Sequence, residues 1–316
     1  MTMRRHVTLV GLVLALVALY AAWLYLPGWA VNMIALALAD ALVVLGLLIL
    51  MRAGLVSFGQ GLYYGIGAYA AALAGMLWGV RDVFVLMALG TVSAGAVAFA
   101  LGFLLRRYRD IFFAMLSLAF SMILFGILVN SASLGSTDGF GVGAPTFLGW
   151  EPSGASRLTE LLYAIICLVS FAAAYGAHRY IESAMGHIGD AIRENEVRVE
   201  YLGVSVRRAI HVKYVFAASL AGMGGVLTAL VIGHVTPEDF TYWTKSGEFV
   251  FVAILSGTGH VAAPFIGSMV FELVRTYALE YAPNMWQMLL GATLLLVILF
   301  LPGGLWSLLA RLRGRA

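Results

Sequence analysis

Charge is scarce in this chain. Of 316 residues, 11% are Asp, Glu, Lys or Arg and 62% are hydrophobic, and the mean hydropathy is +0.95. Soluble domains carry roughly 25% charged residues, so polar groups here could not cover a water-facing surface. Lipid as solvent removes the difficulty, and the class is an integral membrane protein. Lysine is almost missing: Lys213 lies between Val212 and Tyr214, and Lys245 follows Thr244. Neither has the Gly and Ser/Thr flanks of a phosphate-cradling P-loop lysine, so ATP-driven work would need a separate subunit. The single cysteine, Cys167, excludes an intrachain disulfide and a thiolate metal site. His6, His178, His187, His211 and His234 show no metal-ligand spacing, and HExxH and GxSxG are absent. The expectation is a chain with no catalytic residue, no metal and no bound cofactor. Its basic residues sit in short clusters between apolar runs, a pattern of membrane orientation rather than of nucleic-acid binding.

Apolar runs are what the chain has in abundance. A spanning helix takes roughly 17–25 mostly apolar residues. Candidates fall at 7–26, 31–51, 57–79, 83–105, 110–130, 159–179, 214–235, 246–259, 262–281 and 285–303. The first, after Arg4 and Arg5, reads as a retained helix rather than a cleaved signal, because no small-x-small site follows it. The eighth is short and reads as half of a discontinuous helix continuing toward the ninth. With the N-terminus placed in the cytoplasm, fifteen Lys and Arg fall in cytoplasmic connections, against Arg81, Arg157 and Lys245 outside. That bias fixes the orientation. It predicts an all-α single transmembrane domain over 1–316, with about ten transmembrane helices, two glycine-rich helix breaks and both termini cytoplasmic.

Two connections exceed simple turns. The external one, 131–158, is rich in Gly, Ser and Pro. The cytoplasmic one, 181–213, is the most polar stretch, and its charges alternate in sign from Asp190 to Glu200 around Ile188, Ala191, Ile192, Val197, Val199 and Leu202. This suits an amphipathic surface helix ended by Gly203, or a solvated loop with ordinary charge pairs. The breaks are RAGLVSFGQGLYYGIG at 52–67 and SGTGHVAAPFIG at 256–267. Backbone that leaves helical geometry at membrane depth must be buried in protein or line a wet cavity, and paired interruptions point to a translocation path. Candidate path residues are Ser57, Gln60 and Gly61 in the first break, Gly257 and Gly259 in the second, and the mid-span acids Asp40 and Glu272. Glu272 and Arg275 can pair on one helix face, as a structural ion pair or as part of transport. Glu248 is expected at the interface.

At these same stretches the sequence resembles the branched-chain amino acid ABC transporter permeases of the LivM type. The match runs from about Asn32 onward and includes GLVSFGQGLYYGIGAYAAAL, STDGFGVGAP and VFVAILSGTGHVAAPFIGSMVFEL. Its most specific piece is AMGHIGDAIRENEVRVEYLGVSVRRAIHVKYVFAASLAGMGGVL, and LFLPGGLW closes it. The family usually has Gly-Gly-x-Gly where Ser256–Gly259 stands and a His where Gln60 stands. The resemblance implies a fold of helices only, in the bacterial inner membrane. It also implies a partner set of a second, LivH-like permease subunit, two ATP-binding cassette subunits and a periplasmic substrate-binding protein. Ala191, Ile192, Arg193, Glu194, Asn195 and Glu196 would dock on an ATPase subunit, with Gly203 ending the element. The solute would be a branched-chain or related amino acid; urea, amide and aromatic-acid permeases share the pattern. From a different class stands a self-sufficient ion-coupled secondary transporter with Asp40 and Glu272 as ion or proton sites.

Overall fold

The computed structural model describes residues 2–152, 154–301 and 303–312. Arg313 and Arg315 of the basic count, and Pro302 of the closing motif, lie outside the described residues. In chain order the helices are α1 (Thr2–Tyr25), α2 (Gly28–Met51), α3 (Gln60–Trp78), α4 (Val83–Leu105) and α5 (Asp110–Asn130). There follow α6 (Ala155–Ile181), α7 (Ala184–Glu194), α8 (Glu196–Tyr201), α9 (Val206–Ile232) and α10 (Pro237–Thr241). The last four are α11 (Trp243–Ser256), α12 (Ala263–Tyr281), α13 (Trp286–Phe300) and α14 (Leu305–Leu312). Each expected apolar segment falls on one helix, and α2, α4, α5, α6 and α9 are long and apolar enough to cross a bilayer. The helices-only expectation needs one amendment, a short ribbon of β1 (Phe140–Gly141) and β2 (His234–Val235). It pairs Phe140 with Val235 and Gly141 with His234, joining the connection between α5 and α6 to the link after α9.

α2 and α9 are apolar on nearly every side and form the centre, as all-round apolar helices do. Small residues let their backbones close in, the way helices associate where lipid supplies no hydrophobic drive. A Cβ on Gly46 would stand 2.8 Å from the Ala217 carbonyl, and one on Gly224 would stand 2.7 Å from the Ala39 carbonyl. Gly67 and Gly225 likewise abut the main chain of Gly222 and Tyr64. α4, α5 and α13 instead turn large apolar side chains outward, among them Val92, Phe99, Ile111, Phe112, Met115 and Phe300.

Three expectations are corrected here. The eighth segment is no half-helix continuing into the ninth: α11 and α12 form an antiparallel hairpin. Ser256 lies against Gly267, Phe251 against Phe271, and Glu248 against Arg275. Gly257 turns the chain at φ +81°, and Pro264 in the first turn of α12 suits a helix start. The amphipathic stretch at 190–200 is two helices rather than one. Asn195, extended at φ −161°, receives the end of α7, and its side chain accepts from Arg198 N–H to cap α8. Finally, Lys245 and Lys213 were counted as loop charges outside and inside, yet both are buried.

Candidate functional site

Between α2 and α3 the chain is non-helical over 52–59, and helix resumes at Gln60, inside the glycine-rich motif. Gly54 makes the turn out of α2 at φ +78°. Beyond it Leu55, Ser57 and Gly59 are buried as the chain climbs between helices. Buried backbone must find partners, and serines supply them. Phe58 N–H donates to Ser117 Oγ (3.1 Å), Gly59 N–H to Ser57 Oγ (3.3 Å) and Gly61 N–H to Ser246 Oγ (3.0 Å).

A second irregular segment meets this one from the other side. Residues 233–242 fold back from the end of α9, and Thr236 caps α10 by accepting from Asp239 N–H (3.2 Å). Thr241 reaches the level of mid-α5, where the Ser121 hydroxyl donates to its carbonyl (3.1 Å). Gly65 of α3 packs on the Thr241 methyl. Ser57, Gln60, Ser117, Ser121, Thr241 and Ser246 thus form one buried seam among α3, α5, α10 and α11. On its α5 side the buried residues are only Phe113, Ser117, Ser121 and Leu128. Within the seam both polar atoms of the Gln60 carboxamide lack a hydrogen-bond partner among the described residues.

One turn beyond Gln60 a charge cluster begins. The Tyr64 hydroxyl donates to Asp40 Oδ1 (2.9 Å), and Lys245 Nζ donates to Asp40 Oδ2 (3.0 Å). Lys245 also faces Glu248 (3.5 Å), Arg275 faces Glu248 (3.7 Å), and Arg275 faces Glu272 (3.9 Å). Three carboxylates meet two cations, with side-chain exposures from 11% to 28%. Charges this sheltered persist only when paired. A cavity of about 10 Å³ lies against Asp40, Glu248, Ser268 and Glu272. Glu248 is therefore part of a buried network, not an interfacial residue, because α11 begins deep in the bundle and carries it inward.

At the carboxyl end of α2 the polar connection is bolted down. Arg52 grips Asp190 through two hydrogen bonds of 3.0 and 2.8 Å. Arg109, just before α5, grips Glu196 through two of 2.8 Å. Such planar, two-bond pairs fix orientation as well as distance. Lys213 Nζ donates to the Met185 carbonyl (2.8 Å), and a Cβ on Gly189 would sit 2.7 Å from that Nζ. Ile192 and Val199 are buried beneath α7 and α8, while Ala191, Arg193, Glu194, Asn195, Val197, Tyr201 and Leu202 are exposed.

A family model described as branched-chain amino acid transport system / permease component matches residues 29–298. The chain belongs to this family. It is 27% identical over 315 residues to the high-affinity branched-chain amino acid transport system permease protein LivM of Escherichia coli K12, covering 92% of this chain and 73% of that protein. LivM of Salmonella typhimurium is 28% identical, with 80% of this chain and 64% of that protein covered. LivH of E. coli K12 is 27% identical, with shares of 80% and 85%. No solved structure matches the chain significantly. The matched region spans α2 to α13, so seam, charge cluster and bolted connection all belong to the permease's family core.

The permease's expected site residues divide into groups. Ser57, Gln60 and Gly61 meet in the seam, and Asp40 and Glu272 meet in the charge cluster one turn away. Gly257 and Gly259 join neither. A Cβ on Gly257 would strike the Gly303 carbonyl, and one on Gly259 would lie 3.1 Å from Trp306 Cδ1. His260 stacks flat on Trp306, with centroids 4.4 Å apart. The second break is a seat for the C-terminal segment, and its glycines serve that close approach. Of the docking set, Ile192 faces inward and Glu196 is held by Arg109, while Gly203, at φ +81°, turns the chain after α8. Ser117, Ser121, Thr241, Ser246 and Lys245 were missed. The spacing of Phe113, Ser117 and Ser121 at every fourth residue was the one available signal.

Proposed function

We propose that this chain is a membrane permease subunit of an ATP-binding cassette importer, moving branched-chain or related amino acids across the bacterial inner membrane by alternating access. Ten helices, α1 to α6, α9 and α11 to α13, would span, with both termini cytoplasmic and the chain a single domain. A second, LivH-like permease subunit, two ATPase subunits and a periplasmic binding protein would complete the assembly. The chain itself would bind no cofactor. The path would run along the seam of Ser57, Gln60 and Gly61, beside the cluster of Asp40 and Glu272.

One observation carries the reading: the two arginine–carboxylate grips tie α7 and α8 to the ends of α2 and α5. A push on the exposed face of that connection would move those helices as a unit instead of deforming a loop. Ala191, Arg193, Glu194, Asn195, Val197, Tyr201 and Leu202 form that face, with Ile192 as its inner anchor and Glu196 as its clamp. The test replaces Val197, Tyr201 and Leu202 by Asp, and Arg193 and Glu194 by Ala, then measures ATPase co-purification and uptake. Loss of both is expected. Intact assembly with intact uptake would remove the coupling assignment.

The buried acids favour one rival, an ion-coupled transporter working alone. Uptake abolished by an uncoupler while ATP is held constant would select it.

A further inference from the structure

We propose that the amino end of α3, together with the Gln60 carboxamide, receives the carboxylate group of the transported amino acid. The inference rests on the permease reading and names the contact within it. A helix N-terminus presents unpaired N–H groups and a partial positive charge, and it takes anions readily. α3 is 19 residues long, its N-cap, Gly59, offers no side-chain cap, and in its first turn Gly61 N–H is held by the Ser246 hydroxyl, which a solute would have to displace or share. The end is not on the surface but in the middle of the protein, among Ser117, Ser121, Thr241 and Ser246.

Gln60 is the first residue of that helix, 0% exposed, and both carboxamide atoms are unpartnered. Native proteins rarely leave such a group unpaired. A partner subunit could not reach it in this conformation, because no part of it is at the surface. A solute entering the seam could. The seam's own side chains are hydroxyls and one amide, with no carboxylate to repel an anion. Tyr64, one turn along α3, leads to the cluster where three carboxylates face two cations. A positive helix end beside a net negative cluster matches the two ends of a zwitterion.

The cover is suited to parting. On its fully buried side α5 offers two serines and two apolar residues, Phe113 and Leu128, while Leu116, Phe120 and Leu124 are half-buried against the core. Moving α5 aside would expose Gln60, Gly61 and Ser246 while breaking few fully buried apolar contacts.

The experiment uses the complete complex of both permease subunits, ATPase subunits and binding protein in liposomes, with leucine as the probe. Gln60→Met should cut leucine uptake about 10- to 100-fold, the worth of a hydrogen bond to a charged group. Gln60→Glu should bring uptake to background by repelling the carboxylate, with the complex still co-purifying. Wild-type uptake in both variants would overturn the proposal. If neither variant assembles, Gln60→Cys in a Cys167→Ser chain decides. A negatively charged thiol reagent should label it during ATP turnover, and leucine should slow the labelling. Labelling that leucine does not slow, or none at all, would also overturn it. A wild-type complex that moves neither leucine nor any other amino acid would instead sink the amino-acid importer reading, so the two failures are separable.

Discussion

The two glycine-rich breaks hold opposite ends of the same short helix, and they do so by different means. At the start of α11 the first break brings Gly61 N–H onto Ser246 Oγ, beside Lys245 and its carboxylates. At its finish the second break packs glycine on glycine, Gly257 against Gly303 and Gly304, and adds an imidazole–indole stack. The first grip is polar and buried. Its hydrogen bonds can be exchanged for others when the surroundings change. The second is a main-chain fit that tolerates no intermediate. α11 is thus a strut with an adjustable amino end and a fixed carboxyl end.

The largest expected effect breaks the adjustable end. Lys245→Met leaves Asp40 without its cation and should cost about 3–5 kcal/mol of stability, as stranding a buried charge does. Thermal unfolding in detergent reads it, and Asp40→Asn in the same chain should return part of the loss. No recovery would mean that the two residues are not coupled. Gly61→Val comes next. A Cβ there would stand 2.7 Å from Ser246 Oγ, and overpacking typically costs about 1–3 kcal/mol. Leucine uptake should fall with it, and unchanged uptake would place the seam off the path.

Changes at the fixed end should spare transport more than they spare the C-terminus. Gly257→Ala places a side chain at φ +81° against Gly303, a backbone penalty of about 1–3 kcal/mol. Its signature is faster hydrogen exchange over 303–312 with leucine uptake retained. Equal loss of both would merge the two ends into one unit. Trp306→Ala removes the stack on His260, worth about 0.5–1.5 kcal/mol, and should raise exchange over the same residues only slightly.

The sequence was legible where one periodicity or one composition dominated. Long apolar runs gave α2, α4, α5, α6 and α9 within a few residues, because a segment that must satisfy its own backbone in lipid can do so only as a helix. The pairing of Glu272 with Arg275 followed from their spacing. Two glycine clusters looked alike because glycine marks close backbone approach without saying to what. Only the fold separates Gly61, which meets a serine, from Gly257, which meets the chain's own C-terminal segment. The returning segment 233–242 escaped notice since its polar residues read as an ordinary loop. Lys245 and Glu248 were placed at the surface by their nearness to that loop, which in fact runs inward. The clamps on Asp190 and Glu196 join residues 138 and 87 positions apart, and no local pattern announces such partners.

The small ribbon links two connections that lie far apart in the sequence. Phe140 and Gly141 are zipped to the residues that lead straight into α10, and Val142 N–H adds a bond to the Gly233 carbonyl (2.9 Å). Any displacement of the connection between α5 and α6 is therefore passed to the thread that ends at Thr241, four residues ahead of Lys245. The charge cluster is thus tied through the main chain to the ribbon as well as through its own side chains to α2 and α12.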